Sequence, residues 1–527
     1  MGKFDTVEQD ALAGWQGPRG TITYALAEMQ VKLRNLEQAY YVVKTDGGVG
    51  ITDRGSLCLA QESQAKLVDI LAPLPPQRFG DPAFRETYGL DYAYVAGSMA
   101  NGISSTELVI ALGREKLLAA FGSGGFSPAQ ITAAIRQIQA ALPDGPYAFN
   151  LLHSPTEPAL ERQAVDLYLQ YGVKVVEASA YLKLTPSIIR YRVAGLDVDA
   201  RGRVIIRNRV LAKLSRREVA TRFMRPPPEK LLRPLVAQGL ITARQAELSK
   251  QVPMADDITV EADSGGHTDN RPLVGLLPSM LALRDEMQAE YQYETPVRVG
   301  AAGGIGTPQS ALGAFMMGAA YIMTGSINQS CVEAGTSTWV KELLAQAQMP
   351  DVMLAPAADM FEMGVNVQVL KRGTLFPMRA RKLYALYKNY QGLDEIPAAE
   401  RERLEKRIFQ RSWDAVWQEC VAFFNERDPT QIEKARQNPR RKMALLFRWY
   451  LGQAAYWGIS GAPARRMDYQ IWCGPAMGAF NDWVRGTELE QPGKRHVVDV
   501  AQRIMNEAAY LYRVQALRMA GVYLPLG

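Results

Sequence analysis

Two glycine-containing segments in the second half of the chain have the composition of a phosphate-binding site. Residues 299–308 read Val-Gly-Ala-Ala-Gly-Gly-Ile-Gly-Thr-Pro, and residues 324–326 read Thr-Gly-Ser. Each segment follows a predicted strand and leads into a predicted helix. Glycine lets backbone N–H groups approach an anion, and a helix N-terminus adds positive potential there. The alternative is two tight turns that need glycine for positive φ. The two segments are therefore predicted to bind a phosphate together.

A histidine lies in a third segment of this kind, which runs from Asp263 through Ser264-Gly265-Gly266 to His267. The chain has only three histidines. An imidazole on a flexible glycine turn is poorly placed for a core, but it can donate a proton or a hydrogen bond to a ligand near neutral pH. We therefore predict that His267 is catalytic, with a structural histidine between loops as the alternative. We expect His153, which follows the third strand candidate, to be structural or peripheral to the site, and His496 to be structural.

Two further groups of residues carry weaker signals for binding a flat ring. Gly97, Ser98 and Met99 follow the first strand candidate, and small residues with a methionine suit a surface that packs on a ring. Asn150 lies near the end of the third candidate, and its amide can donate to and accept from a pyrimidine-like edge. Glycine turns and core packing explain each of them equally well.

The positions of these residues follow from the elements that precede them. Residues 91–355 alternate short apolar runs with amphipathic helical patterns, which is typical of a parallel sheet. Eight such units predict a (β/α)8 barrel, an α/β fold whose sites lie at the C-terminal ends of the strands. The strand candidates are Tyr92–Ala96, Leu117–Phe121, Tyr147–Leu151, Val173–Glu177, Arg209–Leu214, Ile258–Ala262, Val297–Ala301 and Ala320–Thr324.

Three regions are predicted in the chain. Residues 1–90 form an N-terminal cap with a helix over 23–38 and a hairpin over 40–52, residues 91–355 form the barrel, and residues 356–527 form a helical region for substrate or partner. A proline-rich stretch at 226–253 interrupts the barrel after the fifth strand and predicts an inserted helical hairpin.

Composition excludes several classes of protein. Apolar residues make up 47% and charged residues 22%, which is ordinary for a globular protein, and a net charge of +6 is too mild for a nucleic-acid footprint. No apolar run reaches the roughly 18 residues that span a bilayer, and residues 1–10 show no secretory signal. The four cysteines have neither metal-ligand nor disulfide-framework spacing. We expect a cytoplasmic protein without a metal.

Several motifs together resemble the superfamily of nitronate monooxygenases and FMN-dependent enoyl reductases. More specifically, the chain resembles the PfaD family, the trans-acting enoyl reductases of polyunsaturated fatty acid and trans-acyltransferase polyketide synthases. The resemblance extends over nearly the whole chain. It rests on Val95-Ala96-Gly97-Ser98-Met99-Ala100, Asp263-Ser264-Gly265-Gly266-His267-Thr268-Asp269-Asn270-Arg271-Pro272, Ala301-Ala302-Gly303-Gly304-Ile305, Thr324-Gly325-Ser326-Ile327-Asn328-Gln329 and Ala355-Pro356-Ala357-Ala358-Asp359-Met360-Phe361-Glu362.

This resemblance implies an activity and a set of ligands. The protein would use FMN, with NADPH or NADH as hydride donor, to reduce the α,β-double bond of an enoyl thioester held on an acyl carrier protein. His267 matches the active-site histidine of the superfamily, Lys213 would be a cation near the flavin unless it is a surface lysine, and a homodimer is plausible. The implied FMN-binding residues are Gly97, Ser98, Met99, Asn150, Lys213, Ser264, Gly265, Gly266, Gly303, Gly304, Gly325 and Ser326.

Two other functions stay open at this level. One is an FMN oxidase of the nitronate monooxygenase type, although those proteins usually continue the eighth strand with Gly-Thr-Arg-Phe, where this chain has Gly-Ser-Ile-Asn at 325–328. The other is a non-catalytic docking subunit of a synthase. Basic residues at 371–388 and 440–442 could attract an acidic carrier protein, but a solvated helix face explains them equally well.

Overall fold

The structure, a computed structural model, describes residues 14–155 and 157–525. The N-terminal stretch in which no secretory signal is predicted lies outside the described residues. Within the described ranges, none of the helices has both the length and the apolar character needed to cross a membrane.

The strands alternate with helices through the middle of the chain, and helices dominate its last third. The strands are β1 (Gly14–Gln16), β2 (Tyr40–Thr45), β3 (Gly48–Thr52), β4 (Ser56–Cys58), β5 (Ala65–Leu71), β6 (Tyr94–Ala96), β7 (Leu118–Phe121), β8 (Ala148–Leu152), β9 (Val175–Ser179), β10 (Leu196–Val198), β11 (Val204–Ile206), β12 (Arg209–Leu214), β13 (Asp257–Glu261), β14 (Gly266–His267), β15 (Arg298–Ala302), β16 (Ile322–Thr324), β17 (Val352–Pro356) and β18 (Asn366–Leu370). The helices are α1 (Leu26–Leu33), α2 (Pro82–Tyr88), α3 (Thr106–Arg114), α4 (Pro128–Ala141), α5 (Pro158–Gln170), α6 (Pro186–Ala194), α7 (Arg217–Met224), α8 (Glu229–Ala237), α9 (Ala243–Leu248), α10 (Leu273–Tyr291), α11 (Pro308–Met316), α12 (Ser326–Gln329), α13 (Thr338–Ala345), α14 (Phe376–Asn389), α15 (Ala398–Leu404), α16 (Trp413–Arg427), α17 (Thr430–Gln437), α18 (Pro439–Ser460), α19 (Ala476–Val484) and α20 (Val497–Met519).

Eight parallel strands close into a barrel in the order β12-β13-β15-β16-β6-β7-β8-β9. Each strand pairs with the next barrel strand along the chain, and β16 pairs with β6 to close the ring. Residues such as those of β7 are buried throughout, because a parallel barrel is covered on both faces. The predicted (β/α)8 barrel is therefore confirmed, and all eight strand candidates agree with the observed bounds to within two residues.

Two insertions interrupt the barrel, one after its fourth strand and one after its fifth. The hairpin β10–β11 precedes β12 and was not predicted. The helices α8 and α9 lie between α7 and β13, so the predicted helical insertion is confirmed. Thr242 begins α9 with a reciprocal capping box to Gln245, which satisfies two otherwise unpaired N–H groups of the first turn.

A small antiparallel sheet departs from the predicted helical C-terminal region. Strands β17 and β18 pair with each other, and β14, which contains His267, pairs with β18. The expectation of a mainly helical region from residue 356 onward is confirmed, since helices α14 to α20 follow β18, although the sheet at its start was not predicted. This sheet joins the histidine segment to the chain about a hundred residues further on.

The chain divides into two compact units. The smaller consists of residues 14–79, 308–316 and 501–525 within the described chain, and it contains a five-stranded sheet in the order β3-β2-β5-β1-β4. The predicted hairpin is present as β2–β3, whereas the predicted helix over 23–38 is shorter and spans only α1. Buried Arg513 donates to five backbone carbonyls of this unit.

The larger unit consists of residues 80–307 and 317–500 and contains the barrel and the helical region through α19. An aromatic-rich core lies in this helical region, among β17, β18, α14, α16 and α18. The predicted limits at residues 90 and 355 stay predictions.

Candidate functional site

A cavity of about 760 Å³ lies at the C-terminal ends of the barrel strands. The structure brings every predicted site residue to its wall. They are Gly97, Ser98, Met99, Asn150, Lys213, Ser264, Gly265, Gly266, His267, Gly303, Gly304, Gly325 and Ser326. A cavity of this size accommodates a cofactor and part of a substrate.

The loops after β15 and β16 present bare backbone to the cavity. Gly303 and Gly304 have φ values of 82° and 72°, which disfavour a side chain. A Cβ on Gly303 would lie 2.6 Å from the carbonyl carbon of Ala262, so the barrel itself requires glycine there. At Gly304 and Gly325, by contrast, a Cβ would meet no atom within 4 Å. These two glycines therefore leave open space beside the backbone at the cavity wall.

A partly buried lysine lies between two carboxylates on another side of the barrel mouth. Nζ of Lys213 is 3.5 Å from Oε1 of Glu177 and 3.5 Å from Oε1 of Glu261. Burial lowers the pKa of Lys213, but the two carboxylates outweigh it and raise the pKa overall. Ser98 donates to Glu177 from both its backbone N and its Oγ, at 2.9 and 2.7 Å. Lys213 is thus part of a charged cluster, and the alternative of an ordinary surface lysine is wrong.

Asn150 is buried, and its amide nitrogen is already engaged. Nδ2 donates to Oγ of Ser179 at 3.0 Å and to the carbonyl of Glu177 at 3.2 Å. Both amide hydrogens are used by these bonds. Oδ1 is therefore the atom that Asn150 can offer to a ligand. The sequence predicted that this amide both donates and accepts hydrogen bonds, whereas the structure leaves it only an acceptor for a ligand.

His267 forms a hydrogen-bonded pair with Asp359. Nε2 of the imidazole donates to Oδ1 of the carboxylate at 3.1 Å, while the histidine side chain stays 30% exposed. Burial lowers the pKa of His267, but Asp359 raises it above its ordinary value. Burial raises the pKa of Asp359, but the charge and the hydrogen bond of His267 outweigh burial, so the pKa of Asp359 lies below its ordinary value. Nδ1 of His267 has no hydrogen-bond partner among residues 14–155 and 157–525, so it is the ring atom that can meet a ligand.

Close backbone packing holds the histidine segment in place. A Cβ on Gly265 would lie 2.9 Å from the backbone N of Cys473, and one on Gly474 would lie 2.7 Å from the backbone N of Gly265. Backbone N of Gly474 also donates to Oγ of Ser326 at 2.9 Å. Gly265 is therefore required for chain packing as well as for its position at the cavity.

Sequence reasoning missed three ionisable residues of the site. Asp359 lies within a motif quoted for the family resemblance, but no role was inferred for it. Glu177 ends one strand candidate and Glu261 is the penultimate residue of another, which placed them at the barrel mouth without indicating that both meet Lys213. A carboxylate at a strand end is the only local signal available for them.

The helical region closes the other side of the cavity. The lining side chains come mainly from α16 and α18, and several are apolar or aromatic. They include Cys420, Phe423, Phe424, Leu445, Trp449, Leu451, Ala455 and Tyr456. Two of them, Phe423 and Tyr456, are 46% and 63% exposed, so they lie at the mouth of the cavity. No individual residue of this wall was predicted.

Several of the basic residues considered for carrier docking have acidic partners, among them Arg372 with Asp351 and Lys382 with Glu400. Arg379 forms an ion pair with Asp468, which is 1% exposed. Arg441 forms one with Glu362. Reversing either charge would leave a carboxylate without its partner, so these positions are unsuited to testing a docking surface.

The other histidines lie apart from His267. His153 is buried, with Nδ1 3.3 Å from Glu161 and its ring stacked on Tyr181. His496 pairs with Glu333 at 3.0 Å. Both arrangements agree with the structural roles predicted for them.

Two family models match parts of the chain. The model described as the N-terminal domain of the fatty acid synthase subunit PfaD matches residues 15–76. The model described as the inserted helical domain of acyl-carrier-protein S-malonyltransferase matches residues 390–469. The second match contains α16 and α18, so the helical wall of the cavity is similar to a segment found in another enzyme.

Curated relatives are similar over most of the chain. One of the polyunsaturated fatty acid synthase subunits of Thraustochytrium sp. is 51% identical over 456 residues, which cover 85% of this chain. The polyketide biosynthesis protein PksE of Bacillus subtilis is 46% identical over 458 residues, or 87% of this chain. The chain spans 30% of the length of the first and 59% of the second.

A solved structure shares both fold and sequence with the chain. The enoyl reductase domain of MlnA, from the macrolactin biosynthesis cluster of Bacillus amyloliquefaciens, is 43% identical, with a TM-score of 0.80. The match covers 84% of this chain and 100% of that domain.

Proposed function

We propose that this chain, which belongs to the PfaD family of polyketide and polyunsaturated fatty acid synthase proteins, is an FMN-dependent enoyl reductase acting on thioesters carried by an acyl carrier protein. The observation that carries the proposal is one cavity that contains both a bare-backbone cradle and a histidine–carboxylate pair. The enoyl reductase domain at 43% identity supports the reaction class.

The residues at the cavity wall fit FMN. Gly304 and Gly325 leave open space beside backbone groups, which suits a phosphate. Ser326 adds a hydroxyl, and Asn150 offers a carbonyl oxygen for an N–H of the flavin ring. Lys213 is a fixed cation at the same mouth. These residues, with Gly97, Ser98 and Met99 beside the ring, would hold the cofactor.

When bound, FMN supplies two-electron transfer from NADPH or NADH to the double bond of an enoyl thioester. The protein must then accommodate negative charge at the thioester oxygen and deliver a proton to the α-carbon. A preorganised donor lowers the barrier of such a step. Protonated His267 can serve this need through Nδ1–H, because its Nε2 is held by Asp359.

The carboxylate partner of His267 suits the proton donor that the reductase needs. Asp359 raises the pKa of His267 and so favours its proton-bearing form. A docking subunit would not need the cradle or the pair. The apolar wall from α16 and α18 suits an acyl chain.

The synthase partner is proposed from the relatives. The Thraustochytrium protein and PksE are named for polyunsaturated fatty acid and polyketide synthesis, in which intermediates are carried as thioesters. We therefore propose a carrier-bound substrate, with a homodimer as a further prediction.

Flavin absorbance tests the proposed reaction directly. The purified protein is loaded with FMN, reduced by NADPH without oxygen, and mixed with crotonyl-carrier protein. Rapid reoxidation of the flavin with formation of butyryl-carrier protein is expected. Reoxidation only by air in the presence of a nitronate would instead indicate the monooxygenase, and failure to take up FMN would leave the docking role.

A further inference from the structure

Arg427 differs from Arg448, the other arginine that lines the cavity, in its polar partners. Nη2 of Arg427 donates to the backbone carbonyl of Gly125 at 3.3 Å, and the guanidinium lies 4.4 Å over the ring of Phe423. Among the residues that the structure describes, no carboxylate pairs with it. These two contacts fix the guanidinium at the cavity mouth without neutralising its charge.

Arg448, in the same cavity, pairs with two carboxylates. Its guanidinium lies 3.5 Å from Glu157 and 3.5 Å from Glu362. Arg448 therefore joins elements of the wall, whereas Arg427 keeps Nε and Nη1 for another acceptor.

A glycine turn beside Arg427 adds further donors. Gly124 and Gly125 follow β7 and line the cavity. Their backbone N–H groups donate to no acceptor within the described parts of the chain, although the carbonyl of each accepts a bond. Gly125 has a φ of 89°, and a Cβ there would lie 2.0 Å from Oδ1 of Asn101. Position 125 is thus confined to glycine, and the N–H groups of both glycines are left without an acceptor among the described residues.

We infer that Arg427, Gly124 and Gly125 form a second phosphate-binding subsite at the cavity mouth. A fixed guanidinium with nearby backbone N–H groups is a donor set suited to phosphate oxygens. The inference rests on the proposed function, which offers two phosphate-bearing ligands. One is the phosphopantetheine arm that carries the thioester, and the other is the nicotinamide dinucleotide.

Binding of saturated probes tests this subsite without turnover. Calorimetry on the FMN-loaded protein would compare butyryl-phosphopantetheine, butyryl-pantetheine without the phosphate, and NADP⁺. The variant is Arg427→Gln. The matched control is Arg436→Gln, which removes the same charge from an exposed position of α17 outside the cavity.

Arg427→Gln should weaken the binding of butyryl-phosphopantetheine about tenfold, which corresponds to about 1.4 kcal/mol. It should leave the binding of butyryl-pantetheine unchanged. Arg427→Lys should recover part of the loss, and Arg436→Gln should bind as the parent does. A tenfold loss confined to NADP⁺ would assign the subsite to the dinucleotide and also support it.

Two results would overturn the inference. In one, neither phosphorylated probe responds to Arg427→Gln. In the other, the probes with and without phosphate weaken equally, which would make Arg427 a wall residue. Failure of the reductase itself is distinguishable, because the parent would then leave crotonyl-carrier protein unreduced while the binding difference between the butyryl probes persisted.

Discussion

The two sides of the cavity present different chemistry to a ligand. After β15 and β16 the wall is glycine backbone, in which Gly304 and Gly325 leave open space. At the C-terminal ends of β9, β12 and β13 it consists of charged side chains, with Lys213 held between Glu177 and Glu261. One side offers open space and backbone N–H groups to a ligand, and the other offers charge.

This difference separates binding from chemistry. Backbone N–H groups do not titrate, so the cradle should hold an anion over a wide range of pH. The His267–Asp359 pair depends on protonation, so its contribution should change with pH. Substitutions on the two sides should therefore have distinct signatures in binding, stability and pH dependence.

The largest expected effect is on the chemical step. His267→Ala should lower enoyl reduction about a thousandfold, within the range for loss of a general acid. FMN content should stay unchanged, because the cradle is untouched. Stopped-flow reoxidation of reduced flavin measures the step, and His496→Gln is the matched histidine control. Full turnover in His267→Ala would remove the histidine from the mechanism.

On the backbone side, Gly303→Ala should raise the Kd for FMN about a hundredfold, since loss of several charge-assisted hydrogen bonds is worth about 3 kcal/mol. A Cβ there would meet the backbone of Ala262, so the loop must move. Fluorescence titration of the apoprotein gives the Kd. Gly275→Ala in α10, where no atom lies within 4 Å of the new Cβ, is the control. An unchanged Kd would contradict the assignment of the cradle.

On the charged side, Lys213→Met should destabilise the protein by about 2 kcal/mol, because two carboxylates lose the cation between them. Partial exposure keeps this below the value for a fully buried pair. Lys213→Arg should lose less. Urea unfolding of the apoprotein measures the change. Equal stability in Lys213→Met would mean that water or a proton already satisfies Glu177 and Glu261.

The smallest effect concerns the pH profile. Asp359 raises the pKa of His267, so the protonated histidine is present below that pKa and is lost as the pH rises through it. Asp359→Asn should lower this pKa, so the fall in activity on the alkaline side moves to lower pH. We expect about a tenfold loss at neutral pH, as for an outer-shell partner of a histidine.

Asp359→Glu should restore part of the activity and return the alkaline limb toward its original position. The profile of kcat between acid and alkaline pH is the measurement. A profile that keeps its shape in Asp359→Asn would show that the carboxylate only packs against His267.

Local sequence predicted the barrel well because its strands are short apolar runs that must be buried on both faces. Local sequence did not predict the pairing of strands that are far apart along the chain. Strand β14 pairs with β18 a hundred residues away, and nothing local in Gly266-His267 indicates an antiparallel partner. The alternation of Val367 and Val369 in β18 was the one signal available for that sheet. The predicted helix over 23–38 was too long, because α1 ends at Leu33.

The site residues likewise fall into those that the local sequence identified and those that it missed. Its glycines and His267 were identifiable because they follow strand candidates, and the ends of parallel strands converge on one face of a barrel. Asp359 and the cavity wall formed by α16 and α18 were not identifiable from the sequence. They come from parts of the chain whose local pattern indicates only turns and helices.

The sequence by itself determined the barrel, the order of its strands and the residues at their ends, since burial of apolar runs and the conformational freedom of glycine are local properties. Only the tertiary structure decided which charges meet. Lys213 between two glutamates, Asp359 beside His267 and Arg427 without a carboxylate among the described residues all depend on distances between remote segments. Electrostatic interactions act through space over a few ångströms, so spacing along the chain does not reveal them.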